Sequence, residues 1–292
     1  LWRADSKGYT AILNDRAFEP RDITLHDNGE FFKIRTTISG HGQQGEFTGR
    51  NHFINIDGNE EFFWKVWTEC AGNPIYPQGG TWIYDRAGWC PGQASDLEEN
   101  DITGLVTPGQ MVNIDYGLQS ASGTSNYIVN NQLVTYGPAN FETDAALAEV
   151  LRPNAMDAKN DRFNPACTDP EVVIQNTGKN TLTSLEIEYY EQGGPMLTYN
   201  WTGDLGFMEK ETVILPIDDL AFWLPNSNIF VAKVKNPNGQ QDEYGLNNTF
   251  KTKFEGVDIY AEASPIVIEC KTNKYAYQNS YFLYDAVGNL IQ

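Results

Sequence analysis

Trp67-Thr-Glu-Cys70-Ala-Gly-Asn-Pro74-Ile-Tyr-Pro77-Gln-Gly-Gly-Thr-Trp82-Ile-Tyr-Asp85-Arg86-Ala-Gly-Trp89-Cys90-Pro-Gly92 is the stretch on which the reading of this chain turns. It is too rich in Pro and Gly to be a helix. Two cysteines bracket it, and their spacing points to a Cys70–Cys90 disulfide that holds a rigid loop. Loops fixed on a β scaffold are where binding and catalytic groups are placed. The other two cysteines, Cys167 and Cys270, form the default second pair.

Outward from this loop the chain reads as β. Strands are expected at 31–38, 51–56, 61–68, 80–84, 111–116, 125–136, 171–174, 184–191, 211–215, 228–235, 248–254, 265–271 and 280–284, where apolar or β-branched residues alternate with polar ones. Asp57-Gly58 and Pro237-Asn238-Gly239 read as turns. One short helix is expected at 144–151, stopped by Pro153. The polar, Pro-bearing segment 152–168 lacks periodicity and reads as a linker. The expected organisation is a connector at 1–17, one β domain at 18–155 and a second β sandwich at 156–292. The turn Gly288-Asn289 before Leu290-Ile291 suggests a further strand, so the second sandwich is expected to continue past residue 292.

Composition narrows the function. The 292 residues are 40% hydrophobic, enough for a packed core. A net charge of −19 argues against a nucleic-acid partner, because phosphate binding needs basic surface. An even cysteine count and acidic surface fit a secreted or cell-surface setting. No stretch approaches 18 apolar residues, so no transmembrane helix is expected. The 15 Tyr, 15 Phe and 7 Trp suit strands first, and stacking on sugar rings second.

Chemistry-bearing motifs are few. His26, His41 and His52 have no metal-ligand spacing and read as ordinary hydrogen-bonding histidines, so no metal and no cofactor are expected. No nucleophile elbow, phosphate loop or dinucleotide motif is present. Carboxylates remain. Glu46 stands among glycines in Ile38-Ser-Gly-His41-Gly-Gln-Gln-Gly-Glu46-Phe-Thr-Gly-Arg-Asn-His52, between two strands. It suits a general base, a general acid or an acceptor for sugar hydroxyls, and equally a solvated loop glutamate. Arg86 either pairs with such a carboxylate, stabilises developing negative charge, or forms an ion pair with Asp85. Trp82 and Trp89 either stack on substrate or cover the disulfide.

The motifs around Glu46, Trp67–Cys70 and Gly80–Gly92, with the later Asp101-Ile-Thr-Gly-Leu-Val-Thr-Pro-Gly-Gln110 and Ile114-Asp-Tyr-Gly117, resemble the second domain of the peptide-N-glycosidase F family over about residues 20–155. The resemblance implies a jelly-roll sandwich of the kind shared with peptidylglycine-hydroxylating copper monooxygenases. It implies an amidase that cleaves the bond between an asparagine side chain and the first sugar of an N-glycan, with N-glycan or glycopeptide as partner. It places Glu46 and Arg86 in catalytic roles with Trp89 beside them, and Trp82, His41 and Asp85 are expected with Trp89 toward the substrate. Two departures stand out. The family encloses its glutamate in a small cysteine-bounded loop, and no cysteine flanks Glu46. The family's first jelly roll, which carries its main catalytic Asp, is not in this sequence and is expected upstream.

The second domain, with Val172-Val-Ile-Gln-Asn-Thr-Gly and Leu246-Asn-Asn-Thr-Phe250, resembles immunoglobulin-like sandwiches appended to bacterial surface proteins. That resemblance implies a type IX secretion route and a sorting signal beyond residue 292. Asn200-Trp-Thr and Asn247-Asn-Thr are sequons that carry little weight in a bacterial protein. The alternative to an amidase is a non-catalytic surface or cargo protein whose jelly roll binds a glycan or a protein. A copper monooxygenase relative is disfavoured by the lack of His-x-His.

Overall fold

The computed structural model describes residues 1–71, 80–156, 169–218, 222–224, 227–255, 267, 280–284 and 288–291. The described chain is almost entirely antiparallel β. Eight strands come first: β1 Trp2–Gly8, β2 Arg21–Thr24, β3 Phe31–His41, β4 Arg50–Ile56, β5 Asn59–Val66, β6 Leu97–Asp101, β7 Met111–Leu118 and β8 Asn126–Tyr136. They form two four-stranded sheets, ordered β1-β8-β3-β6 and β2-β7-β4-β5. Apart from the β4–β5 hairpin, consecutive strands thus lie in opposite sheets, the connectivity of an eight-stranded jelly roll. Two one-turn helices, α1 at Tyr9–Ile12 and α2 at Gln43–Glu46, follow β1 and β3.

The alternation that marks strands also builds the core. Phe32, Ile34 and Ile38 of β3, Ile54 and Ile56 of β4, and Val112, Ile114 and Tyr116 of β7 all face inward and are at most 3% exposed. Asp57 and Gly58 take φ of +50° and +81°, as a tight β4–β5 hairpin turn requires.

The first seventeen residues are not a connector. Trp2–Gly8 pairs along β8, and Trp2 and Ile12 lie in the jelly-roll core. Sequence pattern misses β1 because it is an edge strand whose inner face carries few apolar residues. The sequence also passes over the short strands β2 and β6. Conversely, Gly80–Tyr84, expected as a strand, forms turns.

Seven further strands follow: β9 Ala145–Arg152, β10 Glu171–Asn176, β11 Leu182–Glu191, β12 Leu197–Leu205, β13 Lys210–Ile214, β14 Ile229–Lys235 and β15 Thr249–Lys253. They make a three-stranded sheet, β13-β10-β9, and a four-stranded one, β12-β11-β14-β15. Their core includes Leu147, Val172, Ile187, Trp201 and Phe230. The helix expected at 144–151 is β9. Two register shifts against β10 let Leu147 and Val150 both point inward. That spacing of three imitates one face of a helix. Because β9 pairs with β10, the boundary between sandwiches falls before residue 145, and 152–168 joins two strands of one sheet rather than two domains.

Residues 1–257 form one compact unit, and Asp258–Gln292 form a second. In the second, Tyr284 and Leu290 form an antiparallel bridge. The strand expected at 265–271 falls outside the described residues, apart from residue 267.

Candidate functional site

Glu46 closes α2, directly after the long strand β3. Two constraints place it. Gln44 Oε1 accepts hydrogen bonds from the Thr124 amide at 2.9 Å and the Thr124 hydroxyl at 2.8 Å, fastening the helical turn to the loop before β8. The Ala87 amide donates to the Glu46 carbonyl at 3.0 Å, while the Gly40 amide donates to the Ala87 carbonyl at 2.8 Å. The end of β3, the turn of α2 and the loop around residue 87 therefore pack backbone to backbone. Gly40 makes this possible, because a Cβ there would lie 2.0 Å from the Gly45 carbonyl oxygen and 2.6 Å from the Ala87 Cβ.

Arg86 anchors the second side. Its main chain makes an antiparallel bridge with Thr68, and Cys70 and Cys90 beside it are disulfide-bonded and buried, with Cα atoms 5.5 Å apart. The second expected pair, Cys167 and Cys270, lies outside the described residues. Arg86 is 3% exposed. Its Nε donates to Glu46 Oε1 at 2.8 Å. Nη1 donates to the Tyr84 carbonyl at 2.6 Å and the Trp82 carbonyl at 3.4 Å, and Nη2 to the Thr81 carbonyl at 2.8 Å and hydroxyl at 3.0 Å. A guanidinium has five N–H donors, and these five contacts use them all. Its flat faces lie near two rings, 5.2 Å from the centroid of Phe47 and 5.3 Å from that of Trp89.

The structure thus brings Glu46, Arg86, Trp89 and His41 together. Trp89 Nε1 donates to the Gly40 carbonyl at 3.0 Å. His41 lies 5.5 Å from Trp89, centroid to centroid, and its Nε2 is 2.9 Å from the Ser39 hydroxyl. Trp82 meets Arg86 through its carbonyl oxygen. Asp85 turns away from Arg86, and its Oδ1 accepts the Cys70 amide at 3.2 Å. Phe47, beneath the guanidinium, went unnoticed in the sequence, though its position beside Glu46 was a usable signal. Beside these residues lies an open depression of about 630 Å³, lined by Gln43, Phe47, Trp67, Thr81, Ile83 and Asp85 among others.

Glu46 keeps its side chain about one-fifth exposed. One carboxylate oxygen is tied to Arg86, and no described residue donates to the other. A carboxylate held this way has one oxygen free to accept a proton or a hydroxyl hydrogen.

His52 lies elsewhere, on the inner face of β4. It is fully buried, its Nδ1 lies 2.8 Å from the Tyr116 hydroxyl, and burial pulls its pKa down to about 3. His26 is exposed near the surface residue Asp27.

Residues 8–134 match the family model described as peptide-N-glycosidase F, C terminal. The peptide-N(4)-(N-acetyl-beta-D-glucosaminyl)asparagine amidase F of Elizabethkingia miricola is 37% identical over 100 residues, which is 29% of this chain and 28% of that protein. Among solved structures, recombinant N-glycanase F is 29% identical over 40% of this chain and 43% of its own, with a TM-score of 0.38. The glycosylasparaginase PNGase F from Flavobacterium meningosepticum is 31% identical over the same shares, also with a TM-score of 0.38. The chain spans less than half the length of these relatives. Its first domain is similar in sequence to their C-terminal domain.

Proposed function

We propose that the jelly roll supplies Glu46 to an amide-hydrolysing site that releases N-glycans from asparagine. The principal carboxylate of that site is supplied by a further domain that is not among these 292 residues. The observation that carries the reading is the Glu46–Arg86 pair at 2.8 Å, built into packed backbone and open on one carboxylate oxygen. Amide hydrolysis needs a carboxylate to activate water or steer a proton, and a fixed geometry for it. Arg86 is here a positioning residue. Its donors are committed, so it holds Glu46 oriented without touching substrate. Trp89 and His41 form the adjoining wall, and Trp82 and Asp85 brace the loop.

The similarity of residues 8–134 to the C-terminal domain of peptide-N-glycosidase F supports this reading. The Cys70–Cys90 bridge and the net charge of −19 support a secreted or surface location. We read the seven-stranded second sandwich as immunoglobulin-like from its strand order, with β9-β10-β13 facing β12-β11-β14-β15. Export by the type IX route is part of the same proposal.

One observation favours a second reading, a jelly roll that binds glycan without chemistry. With Arg86 fully engaged, the described site offers no free cation to steady an oxyanion.

The test is mass spectrometry of an N-glycopeptide incubated with the protein, alone and joined to its upstream domain. Glycan release with Asn converted to Asp, lost in Glu46→Gln, is expected. No release from either form rejects the amidase and leaves the binding reading.

A further inference from the structure

A single row of side chains crosses the sheet β6-β3-β8-β1. Thr36 stands opposite Glu98 on one side and Asn131 on the other, and Asn131 stands opposite Trp2. Directly opposed residues in a sheet share a face, about 5 Å apart. Thr36 and Asn131 are each 1% exposed. Yet Thr36 Oγ1, both polar atoms of the Asn131 side chain and Trp2 Nε1 are buried with no hydrogen-bond partner. Native interiors pair nearly all such groups, and of this row Thr36 and Glu98 are the members that line a cleft.

The row opens at its Glu98 end. Thr36 and Glu98 line a cleft of about 160 Å³ together with Asp96, Trp64, Lys65 and Trp67. No described donor offsets the burial of the Glu98 carboxyl, whose pKa is pushed up by desolvation alone. Asp96 accepts the Thr68 hydroxyl. The Lys65 ammonium lies 5.5 Å over the Trp67 ring.

We propose that this cleft at the β5–β6 edge is a saccharide-binding site, in which sugar hydroxyls pair with Thr36 Oγ1 and with the Glu98 and Asp96 carboxyl groups. Charge selects the ligand class. Two carboxyl groups repel an anion, and the Lys65 ammonium opposes a cation. A neutral polyol supplies the donors that carboxyl oxygens accept, and both donates to and accepts from a threonine hydroxyl. The Trp64 and Trp67 indoles give the apolar wall that the CH-rich face of a pyranose covers. Trp67 also lines the open depression near α2, so one glycan can reach both places. Choosing an N-glycan as the sugar rests on the amidase reading. The cleft itself does not.

The test is calorimetry and saturation-transfer NMR on the full chain with a free mannose-rich N-glycan that carries no asparagine, and in parallel with cellohexaose. Such a probe has no amide to hydrolyse, so binding is read apart from catalysis. The free glycan is expected to bind. Thr36→Val and Glu98→Gln should each weaken it at least tenfold. Thr36→Val replaces an unpartnered hydroxyl with a methyl of similar volume, so its melting temperature should equal or exceed that of the parent. Sugar binding together with no glycan release from the glycopeptide by either form of the protein sinks the amidase and keeps the cleft. Binding of neither sugar, binding unaffected by both variants, or a glycan-soaked crystal with only ordered water in the cleft overturns the proposal.

Discussion

The Trp89 indole N–H is bonded to the Gly40 carbonyl across 3.0 Å. This contact ties the loop after β5 to the last residues of β3, and it exists because the Gly40 backbone can approach so closely. The same glycine lies against the Gly45 carbonyl on the turn that ends in Glu46.

Gly40→Ala is therefore expected to be poorly tolerated. A Cβ 2.0 Å from a main-chain oxygen cannot be absorbed by rotating a side chain. The expected loss is about 3 kcal/mol, at the upper end for overpacking. The urea midpoint of the variant measures it, and an unchanged midpoint would show that the β3–α2 contact is not fixed.

Removing Arg86 leaves Glu46 without its partner and three loop carbonyls without their donor. Arg86→Ala should cost about 3 kcal/mol, the scale for breaking one side of a buried pair. Arg86→Lys keeps the charge but loses the planar fork, and should recover less than half of that. Denaturant curves of the three proteins at one pH decide it; full recovery by Lys would reduce the interaction to charge alone.

The Cys70–Cys90 bridge closes a loop of sequence separation 20. Chain entropy gives such a bridge about 3 kcal/mol. Reduction, or the double change Cys70→Ser with Cys90→Ser, should lower the melting temperature and uncouple Asp85 from the Cys70 amide. Equal melting curves with and without reductant would contradict this.

His52 gives stability a pH dependence of known sign. Its pKa is about 3 folded and 6.5 unfolded. Between these values the unfolded chain binds a proton that the folded one excludes, so stability is full above about pH 6.5 and falls as pH drops toward 3. Each unit of that window amounts to about 1.4 kcal/mol, so the whole is on the order of 5 kcal/mol. Urea midpoints at pH 7, 5.5 and 4 should step downward, with a shallower slope in His52→Phe. Parallel slopes in the two proteins would assign the acid sensitivity to other groups.

Much of the first sheet pair was legible because β3, β4, β7 and β8 alternate cleanly and Asp57-Gly58 marks the β4–β5 turn. The edge strands β1, β2 and β6 were not, since an edge strand buries too little for its alternation to show. β9 misled because its bulges place Leu147 and Val150 at helical spacing. At the site, Glu46 and Arg86 were readable as residue types. Their contact was readable only as one alternative for Arg86 among three, since they are 40 positions apart and meet only when α2 folds back on the loop. The row from Glu98 to Trp2 was invisible, because no linear pattern links four residues on four strands.

Arg86 can also be described in the language of coordination chemistry. Three main-chain carbonyls, one hydroxyl and one carboxylate converge on a single positive charge, the ligand set a hard metal ion would collect from a loop. The covalently attached guanidinium fills that role itself. A chelator has nothing to withdraw from this part of the loop, and dilution cannot empty it. The central cation of the loop is encoded rather than acquired, so its occupancy does not depend on the composition of the medium.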